Sequence, residues 1–247
     1  MTTLLRAELL KLRTTRTFAA LAGAAIGTSL LLATLVSLLT EPERESVLID
    51  VFASDTSAVF IVVLAIVGIS GEWRHRTIAS ALLAAPDRLR FLAAKTLAFA
   101  AAGSALSLAV AIAVAVAGFA ILSARDLPTP DVDEWAAQVV RLALMAALGG
   151  AFGVALGALV RNQVIAVVGV LMASFAVEPV LISLVPEVGR FGPFVALPTA
   201  AADIPAADAG LGDVALLSPV LATLVLLAWI GAAFAAAVVL LRRRDVE

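Results

Sequence analysis

Cysteine is absent from this 247-residue chain, and histidine occurs once, as His75. Disulfides, thiolate metal sites and cysteine nucleophiles are thereby excluded. His75 stands alone among arginines, so no metal ligand set surrounds it in sequence and no metal is expected. No Gly-Lys pair occurs anywhere, which removes the G-x-x-x-x-G-K-[ST] loop that cradles nucleotide phosphates. Charge is scarce as well, at 15% of residues. The carboxylates fall in no motif with a base, a metal ligand set or a nucleophile, so the chain does not read as an enzyme and no catalytic residue is assigned.

What is present is apolar. Hydrophobic residues make up 62% of the chain and the mean hydropathy is +1.09, which leaves no room for a separate soluble domain. Residues 1–247 therefore read as a single membrane domain. Long apolar runs cover about 17–39, 56–71, 94–123, 137–160, 163–185 and 217–241. Each is about long enough to cross a hydrocarbon core of roughly 30 Å at 1.5 Å per helical residue, the second being marginal. Runs of Ala, Leu, Val and Gly without strand alternation satisfy their backbone groups in lipid only as helices. The expectation is an all-α integral membrane protein with six transmembrane helices. The first run is too long for a signal peptide, and five more follow.

Charge placement orients the chain. Arg6, Lys11, Arg13, Arg16, Arg74, Arg76, Arg88, Arg90, Lys95, Arg161, Arg242, Arg243 and Arg244 fall on one side of the six runs, while Arg44, Arg125 and Arg190 fall on the other. Positive residues stay on the side of insertion, which makes both termini cytoplasmic. Glu41, Glu43, Glu45, Asp50, Asp55, Asp126, Asp131, Asp133, Glu134, Glu187, Asp203, Asp208 and Asp213 fall outside, as weaker support. The formal net charge of -2 averages two opposite surfaces and gives no reason to expect nucleic acid.

Three polar stretches carry further information. In residues 1–16, Leu5, Leu9 and Leu12 recur at helical spacing, flanked by Arg6 and Arg13 and by Glu8 and Lys11. This pattern predicts an amphipathic helix at the inner membrane surface. Residues 72–93 form a cytoplasmic loop longer than a turn requires. Its middle, Ile78 to Ala85, is helix-competent and stopped by Pro86, with Ile78 and Leu82 on one face. Such a face wants a partner groove, although the arginines around it also suit lipid headgroups and topology. Residues 186–216 form an outer loop too apolar for a solvated coil, and short helices dipping back toward the bundle are expected there.

Two ionisable residues lie within the apolar runs. Arg141 is early in the fourth and Glu178 late in the fifth, so both fall in the outer half. An unpaired charge at that depth is costly, and the two are expected to pair. Gly149, Gly153 and Gly157 repeat every four residues along the fourth run and form a ridge for close helix packing. The facing helix is not legible.

The start Ala7-Glu8-Leu9-Leu10-Lys11-Leu12-Arg13-Thr14-Thr15-Arg16, the loop from Glu72 through Pro86 and Arg88 to Lys95, and the ending Arg242-Arg243-Arg244-Asp245-Val246 resemble the ABC-2 type transporter permeases, particularly those common in actinobacteria. The resemblance covers essentially the whole chain. It departs at Arg76, where members usually place Gly before the Thr. It implies a six-span permease of the bacterial cell membrane that pairs with a second permease copy, as homodimer or heterodimer, and docks ABC ATPase subunits. ATP and Mg would bind in that partner and no cofactor in this chain. The loop after span two would carry the coupling helix, which places Glu72, Arg74, Thr77, Ile78, Leu82, Pro86, Arg88 and Lys95 at or around the ATPase contact. Export of a hydrophobic or amphipathic substrate is the implied activity. An ion-coupled secondary transporter and a non-transporting membrane anchor or sensor are the alternatives.

Overall fold

The computed structural model describes residues 2–44, 46–52, 55–75, 77–78, 87–160, 162–201 and 216–243. Among them all regular structure is helical, and six helices are long and apolar enough to cross a membrane. An N-terminal helix, Thr2–Thr14, precedes them. The first span is Arg16–Leu39 and the second Ser57–Arg74, with a π-helical turn, Leu48–Phe52, leading into it. The third is Arg88–Ala124 and the fourth Val132–Val160. The fifth runs Gln163–Met172, a π-helical turn Ala173–Val177, then Glu178–Leu184; the sixth is Pro219–Arg243. Two short helices, Pro186–Gly189 and Pro193–Ala201, follow the fifth span, as the apolar outer loop led us to expect.

Local signals set several boundaries. Asp87 caps the third span by accepting from the backbone N–H groups of Leu89 and Arg90 at 3.0 and 3.2 Å. Asn162 does the same for the fifth through Val164 and Ile165. A cap of this kind typically stabilises a helix by about 1 kcal/mol. Outside the spans, Arg125 donates to the carbonyls of Ser37 and Thr40, closing the far end of the first span with a cation. Arg44 reaches Asp131 at 2.6 Å and the carbonyl of Thr129 at 2.7 Å. Two arginines on the side with few cations thus tie its connections together.

The fourth span is the centre of the bundle, packed against the second, third and sixth. Its glycine ridge faces the second span. A Cβ on Gly153 would stand 2.6 Å from the Val62 carbonyl oxygen and 2.8 Å from the Ala65 Cβ, and one on Gly157 would stand 2.3 Å from the Ile69 Cγ2. Gly150, a quarter turn away, meets the third span, with the Phe99 carbonyl oxygen 2.4 Å from its would-be Cβ. Small residues let these backbones approach closely, and dispersion across the contact replaces the hydrophobic drive that lipid does not supply. Toward the end bearing the termini, Leu12, Leu64, Ile69, Phe91, Leu92 and Phe99 form one core cluster with Ala237 of the sixth span. Toward the other end, Val47, Val51, Phe52, Val110 and Leu122 form a second.

One residue assigned outside on sequence lies deep in the bundle. Asp55 accepts a hydrogen bond from Ser107 Oγ at 2.6 Å. Ser107 is about 18 Å along the third span from Lys95 and about 25 Å from Ala124, at 1.5 Å per residue. Asp55 therefore stands near mid-depth, where its other oxygen caps the second span through the Ser57 N–H at 2.7 Å. Beside it, Ser29 Oγ and Thr56 Oγ1 lie 2.9 Å apart. The apolar pattern began this run at about 56, where the regular helix starts at Ser57, and it gave no sign that Leu48–Phe52 also packs within the bundle against the first and third spans.

Gly153→Val will force side-chain volume onto the backbone of the second span, and overpacking of this kind costs about 1–3 kcal/mol. We expect a lower melting temperature in detergent. Gly169→Ala, with nothing within 4 Å of its would-be Cβ, will not lower it.

Candidate functional site

At the end of the bundle bearing the termini, four charged side chains converge. Lys95 lies one helical turn past Phe91 in the third span, and its side chain is only 1% exposed. Its Nζ donates to Glu8 Oε2 of the N-terminal helix at 2.7 Å and to Glu72 Oε1 at the end of the second span at 2.9 Å. Lys11 donates to the same Glu72 oxygen at 2.7 Å. Glu8 and Lys11 are three residues apart and share a helix face, so one helix brings both signs to the cluster. The Phe91 ring adds a face 5.5 Å from Lys95 Nζ. Glu72 Oε2 is buried without a hydrogen-bond partner among the described residues.

The fold leaves the cluster little freedom. Leu12 is buried, and Leu4, Leu5 and Leu9 pack against the same core cluster as Phe91 and Leu92, so the apolar stripe of the N-terminal helix faces the bundle. Half-burial opposes the charge on Lys11, yet its hydrogen bond and coulombic attraction to Glu72, with a contribution from Glu8, outweigh this and raise its pKa above the ordinary lysine value. A raised value means that the charged contact is fully present below the ordinary lysine range and is lost only as pH climbs through the higher folded value.

Around this cluster lies a crevice of about 1010 Å³. One wall is the elbow between the N-terminal helix and the first span, and the other is the second span, with Lys95 and Phe99 of the third at its back.

The residues expected to contact an ATPase separate into different environments. Glu72 is 3% exposed, and its carboxylate is spent on Lys95 and Lys11. It therefore reaches a partner only through the helices it joins. Ile78 is not offered to a partner groove: it is buried in the core cluster with Leu12 and Phe91, because the chain turns back immediately after the second span. Thr77 anchors that turn, its N–H donating to the Glu72 carbonyl at 2.9 Å. Arg74 is exposed and donates to Gln163 Oε1 at 3.4 Å, and Arg88 opens the third span. Leu82 and Pro86 lie outside the described residues, as do Arg76 and Arg161. The connection itself spans residues 75–87, shorter than the 72–93 expected, because both flanking helices extend into it.

Arg141 and Glu178 do not pair. Glu178 Oε2 accepts from the Val195 N–H at 2.7 Å and packs on Gly192, where a Cβ would stand 2.5 Å from that oxygen. The carboxylate thus serves the first turn of Pro193–Ala201, whose free N–H groups and positive dipole end satisfy it without an arginine. Arg141 Nε is buried with no hydrogen-bond partner among the described residues. The polypeptide returning after the fifth span supplies what charge pairing was expected to supply.

Sequence reading missed Glu8, and it placed Lys95 at or around an ATPase contact and not in a buried cluster. A signal for Lys95 was available, since it stands one residue inside an apolar run and an ammonium there requires an acid. No family model matches the chain, and neither does any curated protein.

Lys95→Met will leave Glu8 and Glu72 without their shared cation, and breaking a buried pair costs about 3–5 kcal/mol. Lys95→Met/Glu72→Leu will recover part of that loss in denaturant unfolding, giving a non-additive cycle. For Lys11, energy transfer from Trp73 to a label on exposed Leu10 will stay constant from neutral pH to about 10, the ordinary lysine range. Above it, transfer will fall as the N-terminal helix loosens.

Proposed function

We propose that this chain is the membrane-spanning permease subunit of an ATP-binding cassette transporter of the ABC-2 type. In this reading it sits in a bacterial plasma membrane with both termini cytoplasmic and exports a hydrophobic or amphipathic substrate. A separate ATPase, which binds the ATP and Mg, docks on the connection between the second and third spans. The observation that supports this most is the clasp of Glu8, Lys11, Glu72 and Lys95. It joins both helices flanking that connection to the N-terminal helix, so force on residues 75–87 is delivered to two spans and a surface helix together. Rigid delivery is what a subunit without its own phosphate loop requires. The glycine contacts then pass a displacement of the second span directly to the fourth.

A second reading is favoured by Asp55. A carboxylate near mid-depth, at the start of a helix and beside Ser29, Thr56 and Ser107, is a feature of ion-coupled secondary transporters. Against it, both Asp55 oxygens and the hydroxyls of Ser29, Thr56 and Ser107 already have protein partners.

Flux from proteoliposomes separates the two. Under the permease reading, the tagged full-length chain recovers a stoichiometric ATPase from its native membrane. The reconstituted complex then shows ATP-dependent, vanadate-sensitive transport that persists in Asp55→Asn. Flux driven by a cation gradient with no ATPase present, and lost in Asp55→Asn, would overturn it in favour of the second reading.

A further inference from the structure

The crevice beside the clasp has a division of surface that the clasp does not account for. Its lining carries Lys11, Arg16 and Arg74 at the rim, with Lys95 at the back, against two carboxylates, Glu8 and Glu72. Both carboxylates are already engaged by lysines, so the arginines set the remaining field. Arg16 is exposed and makes no hydrogen bond or ion pair among the described residues, and Arg74 has only the 3.4 Å contact with Gln163. Below this rim the lining turns apolar, through Phe18 and Leu21 of the first span and Val63, Leu64 and Val67 of the second. Gly71 contributes no side chain, and only His75 comes as close as 4.0 Å to its would-be Cβ.

The depth of the apolar wall is informative. From Arg74 to Val63 the second span rises about 16 Å at 1.5 Å per residue, close to half of a hydrocarbon core of roughly 30 Å. The crevice is therefore cationic at the level of a headgroup and apolar for the thickness of one leaflet. A soluble phosphate compound would use the rim and leave the wall wet, whereas a lipid without net charge would use the wall and leave the net positive field of the rim uncompensated.

We propose that this crevice holds one anionic phospholipid from the leaflet on the side of the termini. Its phosphate lies against Arg16 and Arg74, and an acyl chain descends between Phe18, Leu21, Leu64 and Val67. Guanidinium groups suit the task because they meet phosphate oxygens in two-point geometry. The lipid packs against the elbow at Thr15 and the inner end of the second span, adjoining the clasp without replacing any of its contacts. The assignment rests on the membrane-spanning fold and does not depend on transport.

Native mass spectrometry of the full-length chain in detergent tests it, with dioleoylphosphatidylglycerol, dioleoylphosphatidylcholine and inorganic phosphate as probes. We expect one phosphatidylglycerol per chain, bound on the order of tenfold more tightly than phosphatidylcholine with the same acyl chains. Inorganic phosphate at equal concentration will not displace it. Arg16→Gln/Arg74→Gln will bring phosphatidylglycerol down to the level of phosphatidylcholine, and Val67→Trp will weaken both lipids by filling the wall. Unchanged melting temperatures will show that both variants fold. Should either fail to fold, the comparison of the three probes on the unaltered chain decides alone. Equal binding of the two lipids, displacement by inorganic phosphate, a preference that survives in the arginine variant, or a lipid-free dimer that excludes phosphatidylglycerol would each overturn the proposal.

Discussion

An ammonium group removed from water and lipid headgroups needs acceptors that replace the solvent, and for Lys95 two carboxylates from different helices supply them. The desolvation cost of the lysine is several kcal/mol, and neither acid alone supplies a full shell of acceptors. Bringing both to one nitrogen requires the N-terminal helix to lie against the third span and the second span to end at the same level. The same contacts hold the N-terminal helix, the end of the second span and the first turns of the third at one level. The apolar packing of Leu12, Phe91 and Leu92 keeps Lys95 and Glu72 out of water, while Lys11 stays about half exposed at the crevice.

Away from this end, the bundle is held by proximity. Lipid tails are as apolar as leucine, so no hydrophobic gain draws helices together, and the glycines of the fourth span admit the second and third spans at backbone contact. Polar groups are used sparingly and locally: Ser104 Oγ donates to the Ala143 carbonyl between the third and fourth spans, and Asp55 bonds Ser107 between the second and third. The result is asymmetric in its exposure. The fourth span is the most buried of the six, while the first and sixth leave most of their apolar surface facing outward.

How much of this was legible in the sequence follows from what each signal measures. Run length and hydropathy count residues along the chain, so the number of spans and most of their limits were readable, down to the apolar return after the fifth. Charge asymmetry reports loops and termini, and it drew Asp55 to the outside because the residue borders an apolar run. Its depth depends on Leu48–Phe52 folding inward beside Phe119, a tertiary contact between residues too few to register as a span. Glycine periodicity announced a ridge on the fourth span without naming the facing helix, since spacing on one element carries no information about the other. Arg141 and Glu178 failed as a pair for the converse reason. Two charges at similar depth invite pairing, but backbone N–H groups from a returning helix are invisible to a count of charges. Glu72 and Lys95 stood in view as loop charges, and only the fold turned them inward.

The second span is divided, with Leu48–Phe52 wound as a wide turn on one side of Asp55 and a regular helix starting at Ser57 on the other. An unbroken α-helix transmits a tilt along its full length because every turn is bonded to the next. Here that ladder stops at Asp55, whose carboxylate caps the segment beginning at Ser57, while Leu48–Phe52 is held by its packing on the first and third spans and by the contact between Phe52 and Phe119. The segment Ser57–Arg74 is thus a stiff rod bedded on the glycines of the fourth span. Because the regular helix begins only at Ser57, the backbone hydrogen bonds that stiffen Ser57–Arg74 do not extend across Asp55.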